Sequence, residues 1–177
     1  MKEQFLLNEM WTLTFGAAFQ RASVYKEGID ETKKEPLKVE IRSYVEDKLD
    51  PQYVNGNVTD KQHIENIYLL SNQTNDFDEI LNGGQLNFGV SQKLLNLHLK
   101  YLWCLGKIEI PPHFPVDRRI QETLKLKPVL PWTDFQDETD YMRIINSVKQ
   151  RLDKNYKTVA EYELKHFERR IKTAKKK

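Results

Sequence analysis

Apolar residues recur at three- and four-residue steps through almost the whole chain, and nowhere do they alternate long enough to argue for a strand. That periodicity restricts the chain to an all-α fold. Residues 3–25 carry Phe5, Leu6, Met10, Leu13 and Ala17 at helical spacing and predict a long first helix. The charged stretch Lys26–Glu35 reads as a loop, and Pro36 sits where a helix can start, followed by Leu37, Ile41, Tyr44, Val45 and Leu49. Asp50-Pro51 is expected to end that helix, with a turn at Asn55-Gly56-Asn57. Thr59 and Gln62 fit a capping box, with Ile64, Ile67 and Tyr68 behind them on one face. A short helix over 75–81 closes at Asn82-Gly83-Gly84. The segment 89–105 is apolar on most sides and is expected to be central. A loop with three prolines (106–117) and a short helix (116–126) follow. Tyr141, Ile144, Ile145, Val148 and Leu152 mark a strongly patterned helix, and a basic last helix is expected over 156–172. No repeat and no dividing linker interrupts the chain. One helical domain over 1–177 is therefore expected, with room for two lobes around 84–117 and a basic tail at 172–177.

Composition removes several function classes. The single cysteine, Cys104, excludes an internal disulfide framework and any four-cysteine zinc or iron–sulfur site; its place on an apolar helix suggests packing. No apolar run reaches the roughly 18 residues of a spanning helix, and the N-terminus lacks a basic region before an apolar stretch. A cytoplasmic, reduced protein without a membrane partner is the expectation. Residues 1–89 hold 9 Lys/Arg against 15 Asp/Glu, or −6, whereas residues 90–177 hold 19 against 11, or +8. The basic half suits a polyanion as well as it suits a solvated surface.

The informative segment is 86–124. Gly83-Gly84 and Phe88-Gly89-Val90 make a turn into a helix whose first N–H groups lack intrahelical partners, an arrangement able to bind an anion. Lys93 lies in the first turns of this apolar helix. Buried there its amine would lose charge and become a nucleophile; on a stripe with Asn96, Lys100 and Lys107 it would simply face water. Asp117 opens the next helix, 24 positions on, where a carboxylate caps a helix or is held by the preceding prolines over a cleft. His98 reads as a core histidine. His63 and His166 are isolated, and no pair has metal-ligand spacing.

The run Gly89-Val90-Ser91-Gln92-Lys93-Leu94-Leu95-Asn96, followed by Phe114-Pro115-Val116-Asp117, resembles the helix-hairpin-helix DNA glycosylases of the endonuclease III and 8-oxoguanine glycosylase superfamily. Their signature is a Gly-Val-Gly-x-Lys hairpin and a loop ending in Val-Asp before the next helix. About 40 of the 177 residues carry the match. Ser91 replaces the usual second glycine and Phe88 a common proline. The loop from lysine to aspartate is longer than in many members, and Arg118-Arg119 stand where Thr-His is usual. The resemblance implies a catalytic pair, Lys93 and Asp117, acting on a nucleotide flipped out of duplex DNA. The carboxylate would stabilise the cation-like sugar, and the lysine would attack it if a Schiff base forms. The amides of Gly89, Val90 and Ser91, with Arg118 and Arg119, would hold phosphates. Gln92, Trp103, His113, Phe114, Trp132 and Tyr141 are candidates for the base pocket, each with core packing as the alternative. The resemblance implies a monomer acting on double-stranded DNA with neither cofactor nor metal. The rival readings are a non-catalytic helical nucleic-acid-binding module, a helical RNA-cleaving protein whose Arg–His spacing the chain lacks, and a scaffold without chemistry.

Overall fold

Every residue from Phe88 to Lys100 is buried, and the other helices are arranged around this rod. The computed structural model describes residues 1–167, so the 172–177 tail and the end of the expected last helix lie outside the described residues. In chain order the helices are α1 (Lys2–Phe19), α2 (Glu31–Tyr44), α3 (Asp50–Tyr53), α4 (Asp60–Asn72), α5 (Phe88–Cys104), α6 (Arg118–Thr123), α7 (Glu138–Lys149) and α8 (Val159–His166). Among the described residues there is no strand, only isolated bridges at Tyr25–Leu81 and Asp153–Tyr156. The fold is one all-α domain. α1 and α4 flank α5, and α8 packs on α6 and α7. No described helix is long and apolar enough to cross a membrane.

Several helices form where their sequence predicts. Thr59 makes the capping box of α4 with Gln62. Tyr141, Ile144, Ile145 and Val148 of α7 all enter the core, although Leu152 lies past the helix end.

Other expectations are corrected. α1 ends at Phe19, and its buried face is Met10, Trp11, Thr14 and Ala18; Phe5, Leu6, Leu13 and Ala17 face outward. A helix whose apolar residues are spread around its circumference does not announce its inner face. α2 starts at Glu31 inside the charged stretch. Asp30 accepts the Lys33 N–H, and Lys34–Glu31 and Lys38–Glu35 pair at i,i+3 on its outer side. Pro36 therefore lies inside the helix, not at its start. Asp50-Pro51 does not end it either. A π turn at Val45–Leu49, with Asp50 N–H bonded to Val45 O, widens the backbone just before the proline, and α3 continues beyond. Residues 75–81 hold only a 3₁₀ turn, Asn75–Phe77, and Gly83 and Gly84 both take positive φ, a conformation that prevents helix. α4 and α5 are thus joined by residues 73–87 without the expected short helix between them. Cys104 is exposed at the end of α5 and is not a packing residue.

Candidate active site

The polar residues of α5 are buried, not on a solvated stripe, and nearly every one is tied to a neighbouring element. Lys93 leaves α5 toward the start of α6, where Asp117 is the N-cap. The two meet at 2.5 Å between Nζ and Oδ2. The other carboxylate oxygen, Oδ1, accepts the Ile120 N–H at 2.8 Å and fixes the carboxylate on the helix axis. Burial alone would raise the Asp117 carboxyl. The Lys93 charge and hydrogen bond, aided by the Ile120 and Arg119 amides, outweigh it and hold the group below its ordinary value.

What brings this pair together is the residue ahead of each. The Gln92 side chain donates to Val116 O at 2.7 Å and accepts from Val116 N–H at 3.1 Å. One buried amide thus satisfies both backbone groups of the residue before Asp117, while its own neighbour in sequence is Lys93. Gln121 repeats the device on the next loop, bonding Leu130 O at 2.9 Å and Leu130 N–H at 2.7 Å. It also bonds the Asp117 carbonyl at 3.2 Å.

Lys93 and Asp117 open onto a cleft of about 250 Å³ lined also by Arg21, Arg118, Arg119 and Trp132. Leu97, Tyr101 and Phe167 complete its apolar wall. Arg21, Tyr101 and Phe167 were not singled out by sequence. Arg21 lies in the acidic half, just past α1, and nothing in its local pattern marks it.

The remaining candidates are elsewhere. Trp132 alone of the proposed base-pocket residues reaches the cleft. Gln92 has no free edge for a base. Trp103 lies beside Phe114 and Pro115 in a separate crevice. His113, Phe114 and Tyr141 are fully buried. The Tyr141 hydroxyl is 2.9 Å from His113 Nδ1 and accepts from Asn96 Nδ2 at 3.0 Å. The hairpin amides are also engaged. Gly89 N–H donates to Phe135 O at 3.0 Å, Val90 N–H to Asn87 Oδ1 at 2.9 Å and Ser91 N–H to Asn87 O at 3.1 Å. The Trp132–Phe135 segment lies so close that a Cβ on Gly89 would meet Trp132 O at 1.9 Å. Close backbone approach, not phosphate binding, is why position 89 is glycine.

A second buried ion pair runs along the same face of α5, seven residues on. Lys100 Nζ contacts both Glu163 oxygens, at 2.7 and 2.9 Å, and lies 4.0 Å from the centroid of the Phe167 ring. Burial pushes the Glu163 carboxyl up in spite of Lys100. His98 is a core histidine, bonded to Asp50 at 2.9 Å and stacked on Trp11.

His63 is not isolated. Its Nδ1 meets the Tyr53 hydroxyl at 2.8 Å and its Nε2 meets Asn96 Oδ1 at 3.0 Å. His166 meets the Tyr162 carbonyl through Nδ1 at 2.7 Å. Among the described residues no group of three His, Cys, Asp or Glu side chains is placed to hold a metal ion. Compared with known proteins, the chain matches no family model, no curated protein and no solved structure.

Proposed function

We propose that this chain is a DNA glycosylase that takes a flipped nucleotide into the Lys93–Asp117 cleft and releases its base. The observation that carries the reading is the Lys93–Asp117 contact of 2.5 Å at a cleft lined by three arginines and a tryptophan. These residues come from separate elements, and the amine and carboxylate converge as attack on one sugar carbon requires. As the base departs, positive charge grows on the sugar, and the fixed Asp117 carboxylate stabilises it. The departing base takes a proton from the Lys93 ammonium, which frees an amine lone pair for C1′ while Asp117 stays a carboxylate. The bond from C1′ to the base breaks as the bond to Nζ forms, and a further proton passes from Nζ to the ring oxygen as the ring opens to a protonated Schiff base. If water attacks instead, the product is an abasic site and Lys93 serves only as counter-charge. Trp132 offers an aromatic surface to the extruded base.

The test incubates the protein with genomic DNAs of different base modification, including oxidised purines, thymine-type lesions and the bulky modified pyrimidines of bacteriophage genomes. Free base and abasic sites are measured. Base release from one substrate, reduced roughly 100-fold or more in Asp117→Asn, is the expected result. Borohydride trapping reads the Lys93 route, as an adduct present in the wild type and absent in Lys93→Ala. Duplex binding without base release from any substrate would leave the non-catalytic binding module in its place.

A further inference from the structure

We infer that Arg21 and Arg119 form a phosphodiester-binding site at the mouth of the Lys93–Asp117 cleft, in place of the buried hairpin at Gly89–Ser91. The inference rests on a DNA substrate and adds how its backbone is held. The hairpin is unsuitable on two grounds: all three of its amides already have acceptors within the protein, and its residues are buried. A phosphate there would have to displace the Trp132–Phe135 segment.

The charges around the cleft point to the replacement. Asp117 is neutralised by Lys93, and Arg118 is bonded to Glu122 at 2.8 Å. Arg21 and Arg119 line the same cleft, and neither forms a salt bridge with a carboxylate among the described residues. Among the described residues two guanidinium groups thus have no carboxylate partner beside the proposed reacting pair. Arg119 is also oriented before any ligand arrives, with its guanidinium 5.5 Å from the centroid of the Phe167 ring. Planar guanidinium forks match the two free oxygens of a phosphodiester, and Arg retains its charge at any working pH. Arg21 follows α1 and Arg119 belongs to α6, so the site bridges two elements. It draws one cation from the half of the chain with net charge −6.

The experiment measures binding of a short fluorescein-labelled DNA duplex to the full chain across a series of salt concentrations. Arg21→Ala and Arg119→Ala are each expected to weaken binding and to lower the slope of log K against log salt by about 0.9, the loss of one phosphate contact. Lys154→Ala, at an exposed position away from the cleft, should leave the slope unchanged. Thermal melts establish that both arginine variants are folded. An unchanged slope in both overturns the inference, and so does preference for RNA over the duplex of the same sequence. If the slope falls as expected but no base is ever released, the phosphate site stands and the glycosylase reading fails. If base is released and neither arginine affects the slope, the inference alone fails.

Discussion

Gln92 controls the geometry of the candidate site without facing a substrate. Replacing it with leucine would leave the Val116 N–H and C=O buried without partners, at about 1–3 kcal/mol for each group. Gln92→Leu is therefore expected to lower the urea midpoint. It should also slow any base release more than Gln92→Glu, which keeps one acceptor for the Val116 N–H. A leucine variant as stable as the wild type would contradict the clamp. Gly89→Ala forces its new methyl against Trp132 O and should destabilise the fold in the same assay, with the Trp132 fluorescence shifted. Lys93 and Asp117 were legible in the sequence through the motifs that hold them, Gly89-to-Asn96 and Phe114-to-Asp117, since a carboxylate ahead of a helix is by itself ordinary capping. Gln92 and Gln121 were not. A glutamine in a helix looks the same whether it clamps a loop or faces water, and the difference lies in which backbone happens to pass it. Arg21 was hidden for the same reason.

Along α5 the two ion pairs differ in what they join. Lys93–Asp117 ties α5 to α6 at the edge of a cleft, while Lys100–Glu163 ties α5 to α8 where neither side chain reaches water freely. Removing only Glu163 would leave the Lys100 ammonium buried and unpaired. Glu163→Leu is expected to cost about 3–5 kcal/mol, whereas combining it with Lys100→Met should recover most of the loss. A double-mutant cycle by urea unfolding reads this directly, and additive losses would show that the pair is not coupled. Helices with one apolar stripe were legible: α7 buries four of the five residues its pattern marks. α1 was not, because its apolar residues are spread around the helix and mark no single face until its partner is known. α2 and α3 were misread at both prolines. A proline signals a boundary only where the backbone cannot adjust: a π turn precedes Pro51, and Pro36 lies within α2, which starts at Glu31.

Across the interior a chain of polar contacts links α3, α4, α5, the proline-rich loop and α7. Asn66 donates to the Tyr53 hydroxyl at 2.9 Å, Tyr53 to His63 Nδ1, His63 Nε2 to Asn96 Oδ1, Asn96 to Tyr141 and Tyr141 to His113 Nδ1. His113 Nε2 then faces Asp60 Oδ1 at 3.2 Å, and Lys149 pairs with the same carboxylate. This directional chain leaves each histidine one proton. Burial, with His113 alongside, holds His63 well below its ordinary value of 6.5, and burial lowers His113 against the opposing pull of Asp60. The unfolded chain therefore binds more protons than the folded one as pH falls below 6.5. Stability present above that value should be lost by up to about 1.4 kcal/mol per pH unit for each histidine. Urea midpoints at pH 7.5, 6.5 and 5.5 test the sign, and a flat profile would contradict it. The all-α class was legible from spacing alone, yet this network was not, since its members are scattered from Tyr53 to Tyr141. The two oppositely charged halves of the sequence likewise do not stay apart, because Glu3 pairs with Lys107 and Asp60 with Lys149. The Gln92–Val116 clamp has a consequence for ancestry. When the dipeptides Gln92-Lys93 and Val116-Asp117 are stapled side by side, the number of residues looping between them ceases to govern the chemistry. Insertions at the exposed turn Gly106–Lys107 would then be tolerated, and a kindred sequence is better sought by these two dipeptides than by any constant interval between lysine and aspartate.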